Sequence, residues 1–197
     1  MASNFLPPED YQDRDLSTKK IKAGETFYRC YDTQRPIEQA MFFGTTLGNR
    51  YDDPEQKVGV CYIGTSLTAA IVETILHSRS GINAVSENEL RLKALAEITF
   101  THDIELVWFS GTNLKKNQTT ANIYTCPHPE SQQWAGKIMQ NPRNYAGILF
   151  PCSHNDQARS VSLFEGRAQI SEVVSAGTLD EIDETYEILL SHGVGTY

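Results

Sequence analysis

Residues 60–81 read VCYIGTSLTAAIVETILHSRSG and join a predicted strand to a predicted helix. The stretch 58–63 combines β-branched and aromatic residues, which is typical of a buried strand. Ser66 is a favourable N-cap, because its hydroxyl can accept a hydrogen bond from an early backbone N–H of a helix. We therefore predict a helix over 67–79 that ends at Gly81, where glycine favours a C-terminal cap.

One narrow strip of this predicted helix differs from the rest of its surface. Apolar residues cover most of the circumference at about 100° per residue, and a helix that is apolar nearly all round is usually buried. The strip contains small or polar residues, namely Ser66, Ala69, Ala70, Glu73, His77 and Ser80. An ionised carboxylate is costly to bury unless it is paired or hydrogen-bonded. Two interpretations of Glu73 stay open from the pattern alone: a solvated or structurally paired residue, or a carboxylate that lines a ligand cleft.

Strand and helix signals alternate irregularly along the remaining chain. Further strands are predicted at 26–31, 98–100, 104–109, 145–150 and 161–164, and helices after Pro129 and after a capping box at 178–181. Residues 90–96 are compatible with either a short helix or the lead-in to a strand. This mixture predicts an α+β fold rather than a doubly wound sheet. No Gly-x-Gly-x-x-Gly motif follows a strand, so a dinucleotide would not bind in the Rossmann manner.

Composition restricts the classes of function. The 197 residues are 40% hydrophobic and 21% charged, as in globular proteins, so we expect a polar, partly ordered leader over 1–24 and a single domain over 25–197. The net charge of −8 argues against direct nucleic-acid binding, although a few arginines suffice for a small phosphate ligand. The chain has no apolar run of the roughly 18 residues that a membrane helix needs and no signal-peptide core, so we expect a cytoplasmic protein.

Six segments occur in an order that is typical of one known family. They are Phe27-Tyr28-Arg29, Asn49-Arg50-Tyr51-Asp52-Asp53-Pro54, Val60-Cys61-Tyr62-Ile63-Gly64, Ala69-Ala70-Ile71-Val72-Glu73-Thr74, Gly147-Ile148-Leu149-Phe150-Pro151-Cys152-Ser153-His154 and Ser162-Leu163-Phe164-Glu165. Over residues 25–197 the chain thereby resembles the RES-domain family. The resemblance implies an ADP-ribosyltransferase-like core of short mixed strands with flanking helices. It also implies that NAD+ is a substrate and that no metal is required.

The resemblance also implies roles for individual residues in cleaving the nicotinamide–ribose bond. Glu73 would contact the ribose hydroxyls and stabilise an oxocarbenium-like transition state. Arg29 and Arg50 would hold the diphosphate, because a guanidinium matches phosphate oxygens bidentately. Tyr62 would stack or hydrogen-bond near nicotinamide. We expect NAD+ phosphorolysis or hydrolysis, with ADP-ribosyl transfer to a protein as the alternative.

The family serine has two candidate positions in this chain. Many members have Tyr-x-Ser-Arg where this chain has Phe150-Pro151-Cys152-Ser153, so Cys152 occupies the serine position unless the register slides by one residue. We favour Ser153 because its hydroxyl is the stronger hydrogen-bond donor. Either residue would orient Glu73 or the ribose.

Other functions remain compatible with the sequence. Cys126-Pro127-His128 and Cys152-Ser153-His154 offer four zinc ligands in an unusual spacing. Cys152 is also a candidate nucleophile of a hydrolase, with His77 or His154 as its base. A third alternative is a catalytically degenerate domain that only binds a partner. Because many RES-domain proteins are toxins whose cleft is filled by a helix-turn-helix antitoxin, the resemblance implies an inhibitor protein as partner.

Overall fold

The structure, a computed structural model, describes residues 5–77, 81 and 83–197. Ten strands lie within them: β1 Thr18–Ile21, β2 Phe27–Asp32, β3 Val60–Gly64, β4 Ala84–Val85, β5 Lys93–Phe100, β6 Ile104–Trp108, β7 Gly147–Cys152, β8 Asn155–Phe164, β9 Ile170–Thr178 and β10 Gly195–Thr196. Eight form one sheet in the order β1-β6-β7-β8-β3-β2-β5-β9, and β10 pairs with β4. In the large sheet β6 and β7 are parallel and the other neighbours are antiparallel.

The helices are few and mostly short. They are α1 Leu67–Ile71, α2 Glu87–Arg91, α3 Asn113–Lys116, α4 His128–Met139 and α5 Asp183–Ser191. The large mixed sheet with these helices confirms the α+β prediction. Among the described residues, none of the helices has both the length and the hydrophobicity that a membrane crossing requires.

Alternation along the strands supplies apolar side chains to both faces of the sheet. In β3, Val60 belongs to a cluster with Trp134 and Ile138 of α4, whereas Cys61 and Ile63 belong to a cluster built mainly from strand residues. A third cluster packs α1 against β2, β5 and α5. Only a short turn separates the end of β3 from α1, so residues of both elements border the same cavity.

Residues before position 24 also contribute to the core. Tyr11, Leu16 and Ile21 are buried, and β1 pairs with β6 at the edge of the sheet. The aromatic ring of Tyr11 meets that of Trp134 edge-on at a centroid distance of 4.9 Å. A boundary between a leader and a domain near residue 24 stays a prediction, but the described part of this segment is packed against the domain.

The predicted helix over 67–79 begins as expected and then changes its winding. Ser66 Oγ accepts a hydrogen bond from Ala69 N at 3.2 Å, which confirms the predicted N-cap. The α-helical part ends at Ile71, and Val72–Leu76 forms a π-helical turn instead of continuing the α-helix. Positions 78 and 79 of the predicted helix, and Ser80 of the predicted strip, lie outside the described residues. Glu73 therefore lies in a π-helical turn, a conformation that is often found at functional sites.

Several element boundaries differ from the prediction. The ambiguous stretch 90–96 contains the end of α2 and the start of β5, with the change at Leu92. The capping box at Thr178 is present, but it precedes a short 3-10 turn, Leu179–Glu181, and α5 begins only at Asp183. No strand was predicted at β1 or β9. Both are edge strands of the large sheet.

Candidate active site

A cavity of about 620 Å³ opens between α1, β3, the end of β7 and the loop over residues 42–50. Small-molecule sites typically have volumes of roughly 300–1,000 Å³. All the residues that the sequence predicts for the site line this cavity, namely Arg29, Arg50, Tyr62, Glu73, Cys152 and Ser153. The structure therefore brings the predicted residues together from five separate segments, and their individual roles stay predictions.

The carboxylate of Glu73 is held from two sides. Its Oε1 accepts a hydrogen bond from Ser153 N at 2.7 Å, and its Oε2 lies 3.1 Å from Nδ1 of His77. The side chain is 21% exposed, so it keeps limited contact with solvent. Burial raises the pKa of Glu73, but the hydrogen bonds from His77 and the Ser153 amide outweigh burial and leave the pKa below its ordinary value. Glu73 is therefore ionised at neutral pH.

Cys152 and Ser153 lie side by side but present different groups. The Cys152 thiol is buried, and its Sγ lies 3.1 Å from Ser160 Oγ. Burial raises the pKa of Cys152 to about 12, and the neighbouring Glu73 carboxylate acts in the same direction. The exposed Ser153 contacts Glu73 through its backbone N–H. Glu73 is thus oriented by the amide at position 153, and the predicted hydroxyl contact is not required for this.

Two guanidinium groups reach the cavity from separate segments. In β2, Arg29 donates from Nη1 to the Tyr62 carbonyl at 2.8 Å and to Cys61 Sγ at 2.7 Å. Its Nε is buried and has no partner among the described residues. Arg50 donates from Nη1 to the Cys126 carbonyl at 2.7 Å. Both guanidinium groups are therefore oriented at the wall of the cavity by backbone carbonyl groups.

The hydroxyl of Tyr62 is used within the protein. It donates to Asp52 Oδ1 at 3.0 Å and accepts from Tyr51 N at 3.0 Å. Burial, together with the adjacent Asp52 carboxylate, raises the pKa of Tyr62 well above its ordinary value. Tyr62 therefore stays a neutral phenol. Of the two predicted modes of contact with a ligand, the ring face is the one that this arrangement leaves available.

The comparisons with known proteins concern the family and the fold. A family model described as the RES domain matches residues 26–183, most of the chain. This chain belongs to the RES-domain family. The fold is also similar to that of a chain in the crystal structure of the M. tuberculosis MbcT-MbcA toxin-antitoxin complex, with a TM-score of 0.52 and 17% identity over 80% of this chain and 87% of that chain. A comparison with curated proteins gave no match.

Two histidines of this RES domain line the cavity, and the sequence had offered them only for rival functions, His77 as the base of a cysteine hydrolase and His128 as a zinc ligand. The hydrogen bond to Glu73 raises the pKa of His77, whereas burial and then Arg50 lower the pKa of His128 at the start of α4. His77 had a signal in the sequence, since it follows Glu73 by four residues on the polar strip. For His128 the sequence offered only the Cys126-Pro127-His128 spacing, because its place beside the loop that carries Arg50 depends on how α4 packs.

The rival assignments for the cysteines find little support in the RES domain. Within residues 5–77, 81 and 83–197, no set of three or more His, Cys, Asp or Glu side chains is arranged to hold a metal ion. The thiol of Cys152 contacts Ser160 rather than a histidine. Its raised pKa keeps it protonated at neutral pH, whereas a cysteine nucleophile must be a thiolate.

Proposed function

We propose that this RES domain consumes NAD+ by breaking the bond between nicotinamide and ribose, with water or phosphate as the acceptor. One observation carries the proposal: an ionised carboxylate, Glu73, shares a cavity with the guanidinium groups of Arg29 and Arg50. This combination suits a ligand with a diphosphate at one end and a developing positive charge at the other.

Glu73 would act at the reacting carbon. Nicotinamide leaves NAD+ with the electron pair of the broken bond and becomes neutral, so its departure needs no general acid. The positive charge then develops on the ribose, as in glycoside cleavage. A carboxylate that is only 21% exposed stabilises that charge more strongly than a solvated one, because less water screens it.

The two arginines would bind the diphosphate. Backbone carbonyl groups already hold Nη1 of Arg29 and Nη1 of Arg50, so both guanidinium groups are oriented before a ligand arrives. The ring of Tyr62 would pack against the nicotinamide-ribose portion. An ADP-ribosyltransferase-like core is part of the same proposal.

An inhibitor protein belongs to the proposal as well. The M. tuberculosis chain of similar fold was crystallised in a toxin-antitoxin complex. In this chain the loop beside the cavity exposes Phe42, which lines the cavity, and Leu47. Exposed apolar residues around a site often mark a protein interface. We therefore propose a toxin-like activity in the cytoplasm that is blocked by an antitoxin, with a helix-turn-helix protein as the expected kind of partner.

The proposal is tested by incubating the purified chain with NAD+, with and without phosphate, and measuring released nicotinamide. Glu73→Gln keeps the shape of the side chain but removes its charge. We expect kcat to fall by at least about 10²-fold, the typical loss when one stabilising group of a transition state is removed. Glu184→Gln, on the exposed surface of α5, serves as the control and should retain full turnover. Unchanged turnover in Glu73→Gln would refute the site assignment.

A further inference from the structure

The cavity contains a histidine that the proposed chemistry has not yet used. We propose that His77 is the general base that takes a proton from the attacking water, so that this residue determines how fast the enzyme hydrolyses NAD+. The inference rests on the proposed function and extends it to the choice of acceptor.

The geometry of His77 is that of an oriented base. Its Nδ1 lies 3.1 Å from Glu73 Oε2, which favours the tautomer that carries the proton on Nδ1. Nε2 then holds a lone pair, and no described residue forms a hydrogen bond with it. His77 lines the cavity, and its side chain is 52% exposed, so water reaches the ring. Hydrolases with a carboxylate–histidine pair orient the imidazole in the same way, by a hydrogen bond on the nitrogen that does not react.

The winding of the chain explains why this pair lies at the cavity. The π-helical turn Val72–Leu76 separates the regular helix α1 from His77. Glu73 lies in the turn and His77 directly follows it, so both side chains border the cavity. Glu73 would therefore have two tasks, stabilising the ribosyl cation and holding the base.

The charged groups around His77 determine the pH range in which its imidazole is unprotonated and can act as a base. Glu73 on the same helix raises the pKa of His77 most strongly, and Arg50, from the loop across the cavity, lowers it. His128 at the start of α4 interacts electrostatically with His77, and the ring of His154 lies 3.5 Å from the carbonyl of His77. The net pKa of His77 lies above its ordinary value. The base form is therefore lost as the pH falls through this raised pKa.

The proposed step balances as follows. The bond from ribose to nicotinamide breaks, and its electron pair leaves with nicotinamide. The oxygen of a water molecule forms a bond to the same ribose carbon, and the proton that it loses passes to Nε2 of His77. The imidazolium then releases this proton to solvent, which restores the base. The products are nicotinamide, ADP-ribose and one proton.

Phosphate does not need this base. Dibasic phosphate carries a deprotonated oxygen that attacks the ribose without losing a proton, whereas neutral water is a weak nucleophile. Hydrolysis should therefore depend on His77, and phosphorolysis should not. This difference separates a base from a residue that only positions Glu73, since loss of positioning would slow both reactions equally.

His77→Asn is the decisive variant, because an amide N–H can still donate to Glu73 but the side chain cannot accept a proton at neutral pH. The assay quantifies ADP-ribose without phosphate and the phosphorylated product with it, from pH 5 to 9. We expect hydrolysis to fall by about 10²–10⁴-fold, the usual contribution of a general base. Phosphorolysis should stay close to that of the unchanged chain, which also shows that the variant is folded. His102→Asn, in the exposed turn between β5 and β6, is the control and should retain both reactions.

The pH profile gives a second criterion. For the unchanged chain, the logarithm of the hydrolysis rate should fall at acidic pH in the way that protonation of a single group predicts. The residual hydrolysis of His77→Asn should not show this fall. Equal losses of both reactions, full hydrolysis in the variant, or nicotinamide release by the unchanged chain only when phosphate is present would each overturn the role of His77. If the unchanged chain released no nicotinamide, whether phosphate was present or not, both the proposed function and this inference would be overturned.

Discussion

Tyr62 illustrates how a single residue can serve the fold and the site together. Its hydroxyl is shared between the buried carboxylate of Asp52 and the backbone N–H of Tyr51. Asp52 also accepts from Asn49 N at 2.9 Å, so the loop that carries Arg50 is fastened to β3 through this carboxylate. The loop over the cavity is thus held in place by a residue whose ring lines the same cavity.

We predict that Tyr62→Phe lowers the free energy of unfolding by about 1–3 kcal/mol, because Tyr51 N and Asp52 each lose a buried hydrogen bond. Equilibrium denaturation with urea measures the loss. Tyr197→Phe is the matched control, since Tyr197 is 78% exposed. A stability equal to that of the unchanged chain in Tyr62→Phe would show that the hydroxyl does not hold the loop.

The sequence predicted a set of residues that the structure brings to one cavity, but not the contacts that Glu73 makes there. Glu73 was recognisable because a carboxylate on a largely apolar helix is costly unless it has a partner. The amide of Ser153 lies 80 positions further along the chain, at the end of β7, and its contact with Glu73 depends on the tertiary fold. For the same reason the sequence left the choice between Cys152 and Ser153 open: the thiol is directed into the core and the amide towards the carboxylate.

At the level of elements, the junction between β3 and α1 positions Glu73. A Cβ atom added to Gly64 would lie 2.6 Å from Ala70 N and 2.9 Å from both Ala69 Cβ and Ser66 O. Two of these three atoms belong to the backbone, so no flexible side chain can yield. Because residue 64 is a glycine, α1 can pack closely against the end of β3.

We predict that Gly64→Ala costs about 1–3 kcal/mol of stability, as expected when a packed site is overfilled, and that it also lowers kcat because α1 and Glu73 must shift. Urea denaturation and nicotinamide release measure the two effects. Gly195→Ala is the control, since its added Cβ would meet Asn83 O only at 3.8 Å. If Gly64→Ala retained both stability and turnover, the junction would not determine the position of Glu73.

The sequence missed the strands β1 and β9 of the large sheet for the same physical reason. β1 contains Lys19 and Lys20, and β9 exposes Glu172 and Val174, so neither strand shows a clear alternation of apolar and polar residues. Both are edge strands, where charged side chains such as lysine are common and obscure the apolar pattern. The π-helical turn was also missed, because one wider turn leaves the apolar pattern of a helix almost unchanged.

At the level of the whole molecule, the folded unit extends beyond the segment that carries the family resemblance. The family model begins at residue 26, yet Tyr11 is fully buried and its hydroxyl donates to the Asn117 carbonyl at 3.1 Å. Trp134 of α4 packs between Tyr11 and Phe5. The helix whose start carries His128, at the cavity, is therefore supported on its far side by the N-terminal segment.

We predict that Tyr11→Ala lowers the free energy of unfolding by about 3–5 kcal/mol, the usual cost of replacing a large buried aromatic side chain with alanine. The loss combines the contact with Trp134, the hydrogen bond to Asn117 and the cavity left beside α4. Urea denaturation followed by tryptophan fluorescence measures it, because Trp134 reports directly on this packing. Leu6→Ala is the control: its side chain is half exposed, so its effect should stay within about 0.5 kcal/mol. A similarly small effect in Tyr11→Ala would show that the N-terminal segment is dispensable and that the domain begins near residue 25, as its sequence suggests.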